Sequence, residues 1–74
     1  IGFRLGAETD LTLRIFDAVG RSVRQLTVGR FSPGTFELAW DGQDDGGHQV
    51  ASGIYFYHLN SSDHYETRSM VLLR

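Results

Sequence analysis

The 74-residue chain contains no cysteine, no lysine and a single proline. Without cysteine it has neither disulfides nor a cysteine-based zinc site. Without lysine it has neither lysine–asparagine isopeptide crosslinks nor Schiff-base chemistry. Its net charge of −2 argues against nucleic acid as a partner. Its apolar runs are short, so we expect no membrane insertion.

The length predicts one small domain covering residues 1–74. The chain opens on Ile1, and its only methionine is Met70. We therefore expect the chain to be a piece of a longer or processed polypeptide. The apolar residues recur with a period of two in most segments, which indicates strands with one buried face. Turn-forming residues separate the predicted strands, which are residues 1–5, 11–15, 23–28, 36–40, 53–59 and 64–73, with a possible short seventh at 49–51.

Short strands with frequent turns and no helical stripe predict an all-β fold, an immunoglobulin-like antiparallel β-sandwich of six or seven strands.

Two segments depart from simple alternation. Val23, Leu26 and Val28 are spaced three and then two residues apart, which predicts a bulge or a bend within that strand. Residues 53–59 are apolar on both faces, so one face should hold the core and the other should meet a loop or a partner.

Several motifs in order carry a resemblance to known domains. They are LTLRIFDAVGRSV at 11–23, SPGTFELAWDGQDDGGHQVASGIYFYHL at 32–59 and RSMVLLR at 68–74. Over its whole length the chain resembles the type A C-terminal sorting domains of the bacterial type IX (Por) secretion system. It is similarly close to the immunoglobulin-like domain of flagellar hook-capping proteins, which names the wider family. The closing motif of sorting domains usually has lysine before Met, whereas Arg68 and Ser69 stand here.

The resemblance to sorting domains implies that residues 1–74 are excised from a larger secreted protein. It also implies transport of a passenger protein and no catalysis. Such a domain directs an upstream passenger domain through the periplasm to the outer-membrane secretion machinery, for release or attachment at the cell surface. The terminal strand is implicated in that recognition, and an edge strand can be read through its backbone with side chains giving specificity. The expected recognition strand comprises Arg68, Met70, Val71, Leu72, Leu73 and Arg74.

The resemblance to the hook-capping domain implies the alternative. In it the chain is a structural or adhesive immunoglobulin-like module, either of an extracellular hydrolase or of a flagellar hook-cap assembly. Ile54 and Phe56 should point away from the core in either case, and they are the candidate interface with the passenger domain or another partner. The competing interpretation is that a loop covers these two side chains.

The acidic segment 41–47 offers Asp41, Asp44 and Asp45 as weak candidate ligands for calcium. An EF-hand loop would need a glutamate at its twelfth position, where Ser52 stands. Aspartate and glycine suit a tight turn equally well, so we favour a structural turn and predict no cofactor or metal.

The remaining chemistry-bearing residues favour no reaction. A hairpin turning at residues 61–62 would place His58 opposite Tyr65 and His64 on the other face, which is unsuited to a metal. No serine lies in a Gly-x-Ser-x-Gly context, so we expect no enzymatic activity. Trp40 could join tyrosines in a carbohydrate-binding platform, but its alternation with Phe36 favours burial in the core.

Overall fold

The structure is a computed structural model that describes residues 1–62 and 64–73. Those residues contain six strands and no helix, which confirms the all-β prediction. The strands are β1 (Gly2–Leu5), β2 (Thr9–Asp17), β3 (Ser22–Phe31), β4 (Gly34–Glu37), β5 (Gly53–Ser61) and β6 (Tyr65–Leu72).

Four strands form the large sheet in the order β3-β2-β5-β6, and every pair is antiparallel. β2 is flanked on both sides, and its inward side chains Leu11, Leu13 and Ile15 are at most 1 % exposed. Tyr57 and Leu59 of β5 lie beside them in register, opposite Ile15 and Leu13. The inward positions of two neighbouring strands thus make one continuous apolar surface.

β1 and β4 form a separate two-stranded sheet that supplies the second layer. Its buried residues Phe3 and Leu5 complete the core with the inward face of the large sheet. The ring of Phe3 stacks on Phe36 at 5.5 Å and meets Phe31 edge to face at 6.4 Å. At the opposite end of the core, Trp40 meets Tyr55 edge to face at 5.1 Å. The fold is therefore a four-on-two β-sandwich with aromatic contacts at both ends.

The predicted irregularity in the third strand is confirmed as two bulges. The register of β2 with β3 shifts twice, so that Leu26 and Val23 have no residue opposite them. Both of these side chains pack partly buried against the core. Each bulge restores an inward direction that strict alternation would have lost, which explains why Val23 and Leu26 are three residues apart. Val28 lies opposite Thr12 and points outward, so it does not belong to this inward set.

Three details of the sequence prediction are wrong. The strand predicted to end at Trp40 ends at Glu37, because only Gly34–Glu37 pair with β1. Residues 49–51 do not form a strand, because only Gln49 pairs, in a single bridge with Gln43. In the last hairpin Tyr65 lies opposite Asn60, and His58 lies opposite Thr67. The turn is thus one residue later than expected, and it includes Asp63, which lies outside the described residues. Because the register error is even, every side chain keeps its predicted face.

Candidate interaction surfaces

The predicted recognition strand overlaps β6, an outer strand of the large sheet, although Leu73 follows the last residue of β6. Met70 and Leu72 point inward and pack partly buried against the core. Val71 and Leu73 are 66 % and 83 % exposed. Arg68 donates a hydrogen bond from Nε to Glu66 Oε1, and this bond raises the pKa of the Arg68 guanidinium. Of the predicted set, Arg74 lies outside the described residues.

The second predicted interface lies on the outward face of the large sheet. Ile54 is 54 % exposed, and Val71 is directly opposite it on β6. Phe56 is half-buried and lies directly opposite Phe16 of β2. With Val19, which is 76 % exposed, these side chains form what we call the outer patch: Phe16, Val19, Ile54, Phe56 and Val71. The sequence prediction named Ile54 and Phe56 as an interface and Val71 as part of the recognition strand. It missed Phe16 and Val19, because pairing between distant strands decides which residues lie beside the predicted ones.

The turn between β2 and β3 borders the outer patch. An open depression of about 370 Å³ lies between this turn and β5, lined by Phe16, Val19, Phe56 and His58 among others. The ring of Phe16 lies 4.5 Å from that of His58. The turn contributes Val19 to the outer patch and lies beside the half-buried Phe56, but it leaves Ile54 54 % exposed, so it does not cover both predicted side chains.

The same turn is held by Asp17. Its Oδ1 accepts hydrogen bonds from the backbone N–H groups of Val19 and Arg21, at 3.0 and 2.9 Å. Its Oδ2 accepts a third from Arg21 Nε at 2.8 Å. These bonds, that from the Arg21 backbone first, lower the pKa of Asp17 below its usual value. Gly20 has φ of +89°, the left-handed conformation that closes the turn.

Residues 44–48, at the end of the acidic segment, form a second turn of the same kind. Asp44 Oδ1 accepts hydrogen bonds from the backbone N–H groups of Gly46 and His48, both at 2.9 Å, and Gly47 has φ of +81°. The bond from the His48 backbone is the main reason that the pKa of Asp44 is lowered. The segments DAVGR and DDGGH therefore fold alike, with aspartate first and a left-handed glycine fourth. This use of aspartate is the structural turn that the sequence favoured.

The three candidate calcium ligands serve separate purposes. Asp41 Oδ1 accepts a hydrogen bond from Gln43 N–H at 3.0 Å, and Asp45 Oδ1 accepts one from Gln25 N–H at 3.0 Å. In the part of the chain that the structure describes, no three His, Cys, Asp or Glu side chains are grouped to hold a metal ion. The geometry therefore gives the calcium alternative no support.

The acidic segment also covers one edge of the large sheet, which the sequence did not predict. Asp45 N–H donates to the carbonyl of Val23 at 3.0 Å, and Arg24 donates to the carbonyl of Asp44 at 3.4 Å. With the Gln25 bond, these contacts occupy the outer edge of β3 at its two bulges. The bulge spacing was the only signal in the sequence that this strand is an edge.

The aromatic residues considered for carbohydrate binding do not form one exposed platform. Trp40 packs against the core and donates from Nε1 to the carbonyl of Gln43 at 2.9 Å. Tyr55 and Tyr57 are buried, and the Tyr55 hydroxyl donates to the carbonyl of Ala51 at 2.6 Å. Tyr65 is 62 % exposed on the outward face, with its hydroxyl 3.1 Å from His58 Nδ1. Trp40 is partly buried against the core rather than within it, which agrees with the predicted direction of its side chain.

No helix among residues 1–62 and 64–73 is long and apolar enough to cross a membrane.

Comparison with known proteins identifies the family of this fold. No curated protein and no solved structure matches the chain at a significant level. The model of the FlgD Ig-like domain matches residues 2–64, which include β1 to β5 and end just before β6. The chain therefore belongs to the FlgD Ig-like domain family.

Proposed function

We propose that this domain is a non-catalytic interaction module that contributes a binding face to an extracellular assembly of the flagellar hook-cap kind. The family match over residues 2–64 is the observation that carries this proposal. The outer patch supplies the contact surface. Exposed apolar side chains gathered on one face of a small domain are typical of an interaction site.

The distribution of polar groups supports a module without chemistry of its own. Thr9 is the only buried polar residue in the described part of the chain, and its hydroxyl is hydrogen-bonded to Ser62 Oγ at 2.8 Å. The aspartates with lowered pKa values hold turns, and both side chains are partly exposed. A site for catalysis would need a reactive group placed in a cleft with partners to activate it.

A second candidate function is that of a type IX sorting domain, which would direct a passenger to the outer-membrane secretion machinery and the cell surface. The specific observation in its favour is the position of β6, which pairs only with β5 among the described residues. The family match ends at residue 64, so the closing motif at 68–74, which is the expected recognition strand, lies beyond it. The hook-cap alternative therefore has the broader support.

One experiment separates the two functions. Export and assembly are measured for a longer polypeptide that carries this domain, in three variants. The first lacks the domain, the second carries Ile54→Glu, and the third carries Val28→Glu as the matched control. Val28 is 61 % exposed on the same outward face but at the far strand. The assembly module predicts that deletion and Ile54→Glu prevent incorporation into the extracellular complex, whereas Val28→Glu and export are unaffected.

The sorting function predicts a different pattern. Deletion of the domain should leave the passenger in the periplasm, and Ile54→Glu should be delivered normally. Delivery and assembly that both survive deletion of the domain would contradict both proposals. Cell fractionation measures export, and co-sedimentation with the surface complex measures assembly.

A further inference from the structure

The two edge strands of the large sheet, β3 and β6, differ in regularity and in how far other residues cover their backbone. The β3 edge has two bulges and is covered at Val23 and Gln25 by the acidic segment. β6 pairs with β5 without interruption from Tyr65 to Leu72, and it contains neither proline nor a bulge. Proteins usually blunt an exposed edge strand, because its unpaired backbone groups invite another strand. Within the described residues, β6 is the edge that stays regular and uncovered along its whole length, whereas β3 is bulged and partly covered.

The hydrogen-bond pattern identifies which groups face outward at this edge. Ser61 N–H donates to the carbonyl of His64 at 2.8 Å, so residues 61 and 64 form a hydrogen-bonded pair. Antiparallel ladders alternate such pairs with non-bonded ones. The N–H and C=O groups of Tyr65, Thr67 and Ser69 therefore point away from β5, toward the free edge.

Glu66 and Arg68 limit which strand can be added there. Both side chains lie on the inward face of β6 and form an ion pair with each other. An ordinary apolar strand would place uncharged side chains opposite both of them. Charged residues on the inward face of an edge strand oppose indiscriminate pairing for this reason. A favoured partner strand needs opposite charges two residues apart.

We propose that β6 pairs antiparallel with β6 of a second copy of this chain, about a two-fold axis at Thr67. This inference goes beyond the proposed function and does not depend on it. In that register Glu66 lies opposite Arg68 of the second copy, and Arg68 lies opposite Glu66. Thr67 lies opposite its own equivalent, and threonine pairs and opposite charges are both favourable cross-strand neighbours.

The neighbouring registers lack this complementarity. Opposed residues in an antiparallel pair lie on the same face, so two copies whose cores lie on one side of the joined sheet must pair inward residues with inward residues. Every two-fold axis that passes through a residue of β6 meets this condition. The alternative registers therefore have their axes one residue apart. An axis at Arg68 places two like charges opposite each other. An axis at Ser69 places Arg68 opposite Met70 and Glu66 opposite Leu72. Only the Thr67 axis pairs each charge with its opposite.

The inward face has room for the second strand at this point. The Arg68 side chain is 66 % exposed, although it points to the same side as the core. On the outward face, Tyr65 is 62 % exposed and would lie opposite Ser69 of the second copy. The contact comprises about six backbone hydrogen bonds and few side chains, so the dimer is weak and forms at high concentration.

Sedimentation velocity of the 74-residue chain from about 10 µM to about 1 mM tests the proposal, since weak contacts populate in this range. The dimer fraction should rise with concentration. Thr67→Pro should remain monomeric, because it removes an outward N–H that β5 does not use. Thr67→Ala keeps that N–H and should still dimerise. Trp40 fluorescence verifies that each variant is folded.

The charge variants test the register even if Thr67→Pro fails to fold. Arg68→Glu should weaken dimerisation by about tenfold, because it replaces two attractions with two repulsions. Adding Glu66→Arg to it should restore the wild-type affinity, since both pairs are then reversed. A chain that is monomeric at about 1 mM overturns the proposal. So does a dimer that the folded Thr67→Pro variant retains, or one that the double reversal does not restore.

Discussion

Replacing Leu13 by alanine tests the two-layer arrangement on which both candidate surfaces depend. Leu13 is 0 % exposed, and it lies between Thr27 of β3 and Leu59 of β5. Removing its outer carbons loses about 0.8 kcal/mol of transfer free energy per methylene group. The cavity left behind raises the usual cost of a buried Leu→Ala change to about 2–5 kcal/mol. We expect about 3 kcal/mol here, because a second layer of only two short strands can relax toward the cavity.

That loss is large for a chain of this size. A stability of about 0.05–0.15 kcal/mol per residue gives roughly 4–11 kcal/mol for the domain. With a urea dependence of about 1 kcal/mol per molar, the midpoint of unfolding should fall by roughly 3 M. Trp40 is a suitable fluorescence probe, since it packs against the core and meets Tyr55.

The matched control is Val28→Ala on the outward face of the same sheet. Val28 is 61 % exposed, so its loss should cost less than about 1 kcal/mol. If both variants lose the same stability, or if Leu13→Ala loses less than about 1 kcal/mol, the assignment of inward and outward faces is wrong. A clear difference would also establish that outward-face variants can serve as functional probes without unfolding the domain.

Three further predictions concern the turns. The pKa values of Asp17 and Asp44 are lowered by folding, so their stabilisation is present at neutral pH and is lost as the pH falls below about 4 through the folded values. Urea unfolding of the Asp17→Asn, Asp44→Asn double variant should therefore depend less on pH between about 4.5 and 2, and an unchanged profile would contradict this account. Gly20→Ala should lower the free energy of unfolding by about 1–2 kcal/mol, because Gly20 has φ of +89°. Gly6→Ala should be nearly neutral, because the space around Gly6 is open. Equal decreases in melting temperature for the two variants would refute this difference. Added calcium should leave the melting temperature unchanged, and an increase that saturates with concentration would restore the acidic segment as a binding site.

The sequence by itself determined the strands, the fold class and most of the core. Alternation alone places Leu11, Leu13 and Ile15 on one face, because successive side chains of a strand point to opposite sides. The same rule directs Ile54 outward, and the uneven spacing around Leu26 predicts a bulge. These are local properties, and each can be read from a few consecutive residues.

Only the tertiary structure decided which strands are neighbours and which edges are covered. The outer patch joins Phe16 to Phe56 and Ile54 to Val71 through pairing between distant segments. The acidic segment reaches the edge of β3 through bonds between residues twenty or more positions apart, such as Gln25 and Asp45. Periodicity specifies the face of a side chain but says nothing about its neighbours across the sheet. The covered edge at β3 and the available edge at β6 therefore follow from the packing of the whole chain.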